Sequence, residues 1–328
     1  MDNLALMRDR LAVTPEGPRF SPQLLYRAAK LYYVQDATQA EIADQLGTSR
    51  ATVSRLLSEA RRLGIVKIEV VEPVEDDVST LAAQTAEALG LSAVHLSTMG
   101  SSTPGALGPA VATALSRIGL DPGDVLIVSS GRTVFEVAQA DLPALPGVQV
   151  TPTVGGQDDP NAWYQTNEIT RMVAAKIGGT PTFLYAPALP GPDLHQLLLA
   201  DPSIRRVTRL WENARCALLG VGAPPATRSS IPAFVPIGAV ASAVGDVCNH
   251  FFDRDGNDVP FPGGDRLIAT SVELLRRIPA SIAVAAGEVK VPAIAAGARA
   301  GYFNQLVTDV PTAKALVAAA TTAASETA

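Results

Sequence analysis

The stretch TQAEIADQLGTSRATVSRLLSEARRL, residues 38–63, carries the pattern of two short helices joined by a tight turn. It opens with Thr38 and Glu41 at the spacing of a capping box, in which each side chain bonds the other's free backbone amide. Ile42, Ala43 and Leu46 then share one face. Gly47 breaks that helix, and Thr48 or Ser49 can cap the next. Along the second helix Val53, Leu56, Leu57, Ala60 and Leu63 form one apolar stripe. Gln39, Ser49, Arg50, Ala51, Thr52, Ser54 and Arg55 are left to face outward. A helix so arranged can lay its first turns in a major groove, where Arg reads guanine and hydroxyls reach bases or phosphates. Gly64 ends the unit. Residues 65–70, IVKIEV, alternate like a short strand and suggest a wing.

A plain helical hairpin would show the same two periodic segments, so charge has to decide between the readings. From residue 48 to 67 the cations are Arg50, Arg55, Arg61, Arg62 and Lys67 against the single anion Glu59, a local +4 on a chain whose net charge is −6. A basic face on an acidic protein is the footprint expected where phosphates are contacted. The expected partner is double-stranded operator DNA.

At 328 residues the chain has room for two domains, and 47% hydrophobic with 18% charged residues supplies ample core. Cys216 and Cys248 stand far apart, in no metal or redox spacing, and His95, His195 and His250 are equally scattered. No metal and no cofactor are expected, and a reduced, cytoplasmic setting follows from the cysteines. The first residues lack a basic-then-apolar run and no apolar segment reaches membrane length, so no membrane partner is expected.

Outward from the opening stretch, residues 1–20 read as an arm, 21–72 as a winged helix-turn-helix domain, and 73–90 as a linker helix after Glu75-Asp76-Asp77. Residues 91–328 read as a ligand-binding and oligomerisation domain with a frayed tail. Within it, apolar strand-like runs at 93–96, 125–128, 148–154, 182–186, 216–221, 281–285 and 305–308 alternate with helical stretches at 107–118, 167–177, 265–278 and 291–300. Short apolar strands alternating with helices predict an α/β domain with a mostly parallel sheet covered on both faces. Ligands in such sheets bind beyond the carboxyl ends of the strands.

Three loops at such ends stand out. Ser129-Ser130-Gly131-Arg132-Thr133 leads into a helix and offers amides, hydroxyls and a positive dipole end to a phosphate or sugar. Gly155-Gly156-Gln157 permits close backbone approach. Gly287-Glu288-Val289-Lys290 brings a lysine after a strand, and Asp246 is a further candidate for holding a hydroxylated, anionic ligand.

These segments resemble the SorC-type sugar-binding transcriptional regulators of bacteria. The similarity runs from about Leu24 to Ala313 through AAKLYY, the helix-turn-helix, SSGRTV, TPTVGG, YAPA, LLGVGA, GAVASAVGDVCNHFFDRDG, AAGEVKVPAIAAGARAG and LVTDVPTA, in that order. It implies an N-terminal winged helix-turn-helix and an effector domain with the ribose-5-phosphate isomerase and glucosamine-6-phosphate deaminase fold. It also implies phosphorylated sugars as ligands and assembly into homodimers or homotetramers. Carried over residue by residue, Gly131 and Thr133 match the family's small-Gly-x-Thr loop, beside Ser130 and Arg132, and Gly155 and Gly156 match its paired glycines, ahead of Gln157. Asp246 and Lys290 match its acidic residue and its lysine. Pro292 departs from the pattern, though a first helical turn accepts it. No lysine lies between Lys67 and Lys176, so a Schiff base in the first two loops is unavailable and binding there should be noncovalent.

Two enzyme readings compete. The fold is shared with isomerases and deaminases, but acid–base chemistry needs a poised pair, and beyond Asp246 the loops offer only Asp158, Asp159 and Glu288. Gly220-Val221-Gly222-Ala223 after a strand suggests a nicotinamide site, but Pro225 stands in place of the third glycine.

Overall fold

The computed structural model describes residues 20–35, 37–66, 78–98, 105–228 and 231–327. The arm before Phe20, residues 67–70 of the expected wing, Pro73 and Glu75-Asp76-Asp77 lie outside them. The chain divides into two compact units, 1–70 and 71–328.

In the first unit α1 (Pro22–Tyr33), α2 (Gln39–Leu46) and α3 (Arg50–Arg62) follow one another. The capping box forms as its spacing requires: Glu41 N–H donates to Thr38 Oγ1 (3.3 Å), and Thr38 N–H donates to Glu41 Oε2 (2.8 Å). Gly47 adopts the left-handed backbone that stops α2, and Ser49 caps α3 by accepting from Thr52 N–H (3.2 Å). The apolar stripes meet: Leu25 and Ala28 of α1, Ile42 of α2, and Val53, Leu56 and Ala60 of α3 are fully buried together. Burying each Leu or Ile contributes roughly 1.5–3 kcal/mol. Ile65 and Val66, the described part of the expected wing, form a bend with no strand.

The second unit is built on a seven-stranded sheet: β1 (Ala93–Ser97), β2 (Val125–Val128), β3 (Gln149–Pro152), β4 (Thr180–Pro181), β5 (Ala214–Gly220), β8 (Ala280–Val284) and β9 (Gln305–Asp309). Every pairing in it is parallel, and the order is β1-β9-β8-β5-β2-β3-β4. Strand alternation sends Cys216 and Leu218 to one face and Ala217 and Leu219 to the other, so two apolar cores sandwich the sheet. One core holds α5 (Gly108–Ile118), α6 (Arg132–Gln139) and α7 (Thr166–Ile177); the other holds α9 (Pro202–Glu212) and α11 (Val291–Arg299). A two-stranded hairpin, β6 (Gly245–Val247) and β7 (His250–Phe252), stands apart from the sheet.

Several expectations need correction. Residues 182–186 form no strand; pairing ends at Pro181, and only Pro187 bridges back to Gly156. Of the helix expected at 265–278 only α10 (Val272–Leu275) and a 3-10 turn at Gly264–Arg266 exist. The tail expected from residue 321 is, through Thr327, part of α12 (Val310–Thr327). The helix expected as a linker, α4 (Val78–Leu89), packs within the second unit on β1 and α12, burying Leu81 and Thr85.

The sheet order places the site. The chain proceeds from β2 to β3 and β4 on one side, but from β5 to β8 and β9 on the other, with β1 at the far edge beyond β9. The strand order therefore reverses between β2 and β5. Where two neighbouring strands send their connections in opposite directions, a crevice opens beyond their carboxyl ends.

Candidate functional site

A cavity of about 320 Å³ occupies that crevice. The turn after β2 supplies Ser129, Ser130, Gly131, Arg132 and Thr133; the turn after β5 supplies Gly220, Val221, Gly222 and Ala223. Gln157 arrives from beyond β3, Asp246, Cys248 and Asn249 from the hairpin, Lys290 from beyond β8, and Trp163, Tyr164 and Arg228 from connecting loops. Of the effector residues expected from sequence, Ser130, Gly131, Arg132, Thr133, Gln157, Asp246 and Lys290 meet here. Gly155 and Gly156 do not line the cavity. A side chain on Gly155 would collide with the carbonyls of Ala186 and Pro187, 2.7 Å from its Cβ, so the paired glycines let two backbone segments close on each other. Gln157, the next residue, is the one of this loop that lines the cavity.

The β2 turn is built to leave amides open. Ser129 is structural: its hydroxyl accepts from Gly220 N–H (2.7 Å) and ties β2 to β5. Gly131 caps α6 with φ 121°, its amide donates to Trp163 O (2.8 Å), and the first intrahelical bond is Phe135 N–H to Gly131 O. Unlike α2 and α3, α6 has no side chain capping it, so the amides of Arg132, Thr133 and Val134 precede the helix's own ladder. Such amides, with the helix dipole behind them, favour an anion. The Arg132 guanidinium lies 4.7 Å from the Trp163 ring centroid.

On the opposite wall Arg228 and Asp246 form an ion pair whose side chains are only 18% and 11% exposed. The pair crosses directly over Gly222, where a Cβ would land on the guanidinium and the carboxylate. The glycine that suggested a nicotinamide motif is thus explained by the space this pair needs. Burial, reinforced by Arg228, pushes the Lys290 ammonium down to about 8, against the opposing pull of Asp246 and Glu136. Arg132, Arg228 and Lys290 outnumber Asp246, the sole carboxylate among the lining residues described.

The β6–β7 turn is unusual. Cys248 and Asn249 both have positive φ, 52° and 65°, as a two-residue hairpin with the strands' own twist demands. Neither is glycine. Sequence reasoning passed over this turn, and also over Arg228, Trp163 and Tyr164, because none belongs to a periodic segment or a strand-end glycine loop.

In the first unit, Ser49, Arg50, Ala51, Ser54 and Arg55 are exposed, while Gln39 and Thr52 are half-buried. Ser49 and Thr52 hydroxyls lie 2.9 Å apart. Arg62 is drawn to Glu59, with Nε 3.0 Å from Oε2, whereas no ion pair engages Arg50 or Arg55 among the described residues. The first turns of α3 therefore carry two arginines that no ion pair engages among the described residues. No helix among the described residues is long and apolar enough to cross a membrane.

Two family models match the chain. Sugar-bind, a sugar-binding domain, matches residues 57–318, and the Crp-like helix-turn-helix domain matches residues 23–74. The deoxyribonucleoside regulator of Bacillus subtilis (strain 168) is 34% identical over 317 residues, covering 91% of this chain and 98% of the relative. The sorbitol operon regulator of Klebsiella pneumoniae is 30% identical over 311 residues, covering 90% and 98%. The crystal structure of that full-length regulator aligns with a TM-score of 0.68 at 29% identity, over 90% of this chain and 98% of the other.

Proposed function

The chain belongs to the SorC family of sugar-binding transcriptional regulators, and on that premise we propose that its cavity takes a phosphorylated sugar that controls operator binding. The observation that carries this reading is the convergence, in one switch-point crevice, of an uncapped helix N-terminus with three cations and one carboxylate. A phosphate dianion suits the amides of Arg132, Thr133 and Val134 and the Thr133 hydroxyl. Lys290 pairs with the anionic end. With Oδ1 engaged by Arg228, Asp246 has Oδ2 to accept from a sugar hydroxyl. Relatives named as regulators favour binding over catalysis.

Operator contacts belong to the α3 face with Ser49 as its cap, and because one such face covers few base pairs, two or more copies of the chain would read a palindromic or repeated site. Ligand and DNA sites lie in different units, so the sugar acts only through its unequal affinity for two arrangements of the protein. A hundredfold preference shifts operator affinity by up to about 2.7 kcal/mol per site, reciprocally.

A thermal-shift screen of free and phosphorylated sugars identifies the effector, since a hundredfold excess over Kd stabilises by about 2.7 kcal/mol. With that effector, Thr133→Val and Lys290→Ala are expected to lose the ligand-induced change in operator binding in a fluorescence-anisotropy titration. Parent-like responses in both variants would remove the ligand from this crevice.

Lys290 also sets a pH dependence. In the free protein its ammonium loses its proton near pH 8, among Arg228, Arg132, Asp246 and Glu136; a bound phosphate favours the charged form and raises that value. Binding therefore takes up a proton above pH 8, and affinity falls as pH rises through 8. It also weakens as the phosphate gains its proton near pH 6. Kd measured from pH 5.5 to 9.5 should be lowest around neutrality, with the alkaline limb absent in Lys290→Arg. A profile flat across pH 8 in the parent would exclude the pairing.

A further inference from the structure

Asn249 is 7% exposed, lines the cavity, and its Nδ2 has no hydrogen-bond partner among the described residues. Gln157 Oε1, from the loop beyond β3, belongs to a residue lining the same cavity and is likewise buried and without a hydrogen-bond partner among the described residues. Buried amide donors and acceptors are almost always satisfied in a folded protein, because an unmade bond forfeits solvation without recompense. Two orphans of opposite sense, on two residues that line one crevice, point to a group that supplies both missing partners. A hydroxyl does so: its oxygen accepts from an N–H, and its proton goes to a carbonyl.

We propose that Asn249 is a specificity-determining residue that, with Gln157, reads a hydroxyl of the sugar and rejects analogues lacking it. This rests on the sugar-phosphate reading of the cavity and assigns the part of the ligand remote from the phosphate. The backbone supports a role beyond turn formation. At φ 65° glycine would serve the hairpin at least as well, so the turn explains a tolerance for Asn but not an amide left unpaired inside the crevice. A deoxy analogue would leave both groups unsatisfied, which corresponds to a loss of about tenfold to hundredfold in affinity.

The glycine argument also supplies the variant. Asn249→Gly keeps the left-handed turn and removes only the amide; Gln157→Leu removes the acceptor. Titration calorimetry on the full chain uses inorganic phosphate, glucose 6-phosphate, fructose 6-phosphate and ribose 5-phosphate, followed by every monodeoxy analogue of the tightest binder. In the parent, at least one monodeoxy analogue should bind about tenfold or more weakly than its hydroxylated counterpart. In Asn249→Gly that ratio should collapse to within about twofold, with inorganic phosphate binding unchanged. A purely structural role would weaken both ligands alike and leave the ratio intact, and that result overturns the proposal, as does a parent indifferent to every deoxy position. If no sugar phosphate exceeds inorganic phosphate, the sugar-phosphate reading itself fails, and the assignment of Asn249 fails with it.

Discussion

Asp246→Ala is expected to cost the second unit on the order of 3–5 kcal/mol of stability, the range for removing one partner of a buried ion pair. The residual exposure of the two side chains, 18% and 11%, argues for the lower end. The loss comes from what stays behind. Arg228 keeps its charge in a crevice that also holds Lys290 and Arg132, with no carboxylate left on the lining. The pair itself stabilises little, because desolvating two ions offsets most of their attraction. Asp246→Leu combined with Arg228→Met should therefore recover most of the stability while abolishing ligand binding. Trp163 and Trp211 are the chain's two tryptophans and both lie in the second unit, so selectively excited tryptophan fluorescence during urea unfolding follows that unit alone. A loss below about 1 kcal/mol in Asp246→Ala would mean that the pair is solvated and that Gly222 is glycine for another reason.

What could be read from sequence follows the range of the forces involved. The helix-turn-helix is dictated locally, by the Thr38–Glu41 box, the Gly47 stop, the Ser49 cap and two apolar stripes, and each forms as its spacing implies. Strand 125–128 is equally legible, because four apolar β-formers end at a Ser-Ser-Gly turn. Residues 182–186 have similar composition and are no strand. Apolar character reports burial, which Leu184 and Ala186 do satisfy, but not pairing, and Pro181, Pro187 and Pro190 remove ladder donors along that edge. α8 (Pro192–Ala200) and α9 follow one another with no strand between, so strand–helix alternation hides them, although Asp201 capping with Pro202 at the first turn marks the start of α9. The hairpin strands are three residues each, too short to show a period.

The site divides in the same way. Residues that follow a sheet strand could be located because the parallel sheet brings strand ends together: Ser130, Thr133, Gln157 and Lys290 meet for that reason. Arg228 and Trp163 come from irregular loops, and only tertiary packing brings them to the crevice. Gly155 and Gly156 show the converse, since a glycine pair allows close approach of something, and the close approach seen at Gly155 is the backbone at Ala186–Pro187, away from the cavity lining.

On the DNA side, Arg50→Ala and Arg55→Ala are each expected to weaken operator binding by roughly 1–3 kcal/mol, the range for losing a bidentate Arg–guanine contact. Both side chains are exposed on the first turns of α3, and no ion pair among the described residues competes for them. Arg62 is the internal control: it sits a turn or more further along α3 and is paired with Glu59, so Arg62→Ala should cost well under 1 kcal/mol. If two copies bind a palindrome, each substitution removes two contacts at once, and the double variant Arg50→Ala/Arg55→Ala should fall to the non-specific level. Salt separates the roles. An arginine on a base changes the preference between operator and scrambled DNA, whereas one on phosphate weakens both alike and lowers the salt slope by about one per contact. Anisotropy titrations on operator and scrambled duplexes at two salt concentrations therefore decide what each arginine reads. Parent-like operator affinity in both single variants at matched salt would move the reading surface off the first turns of α3.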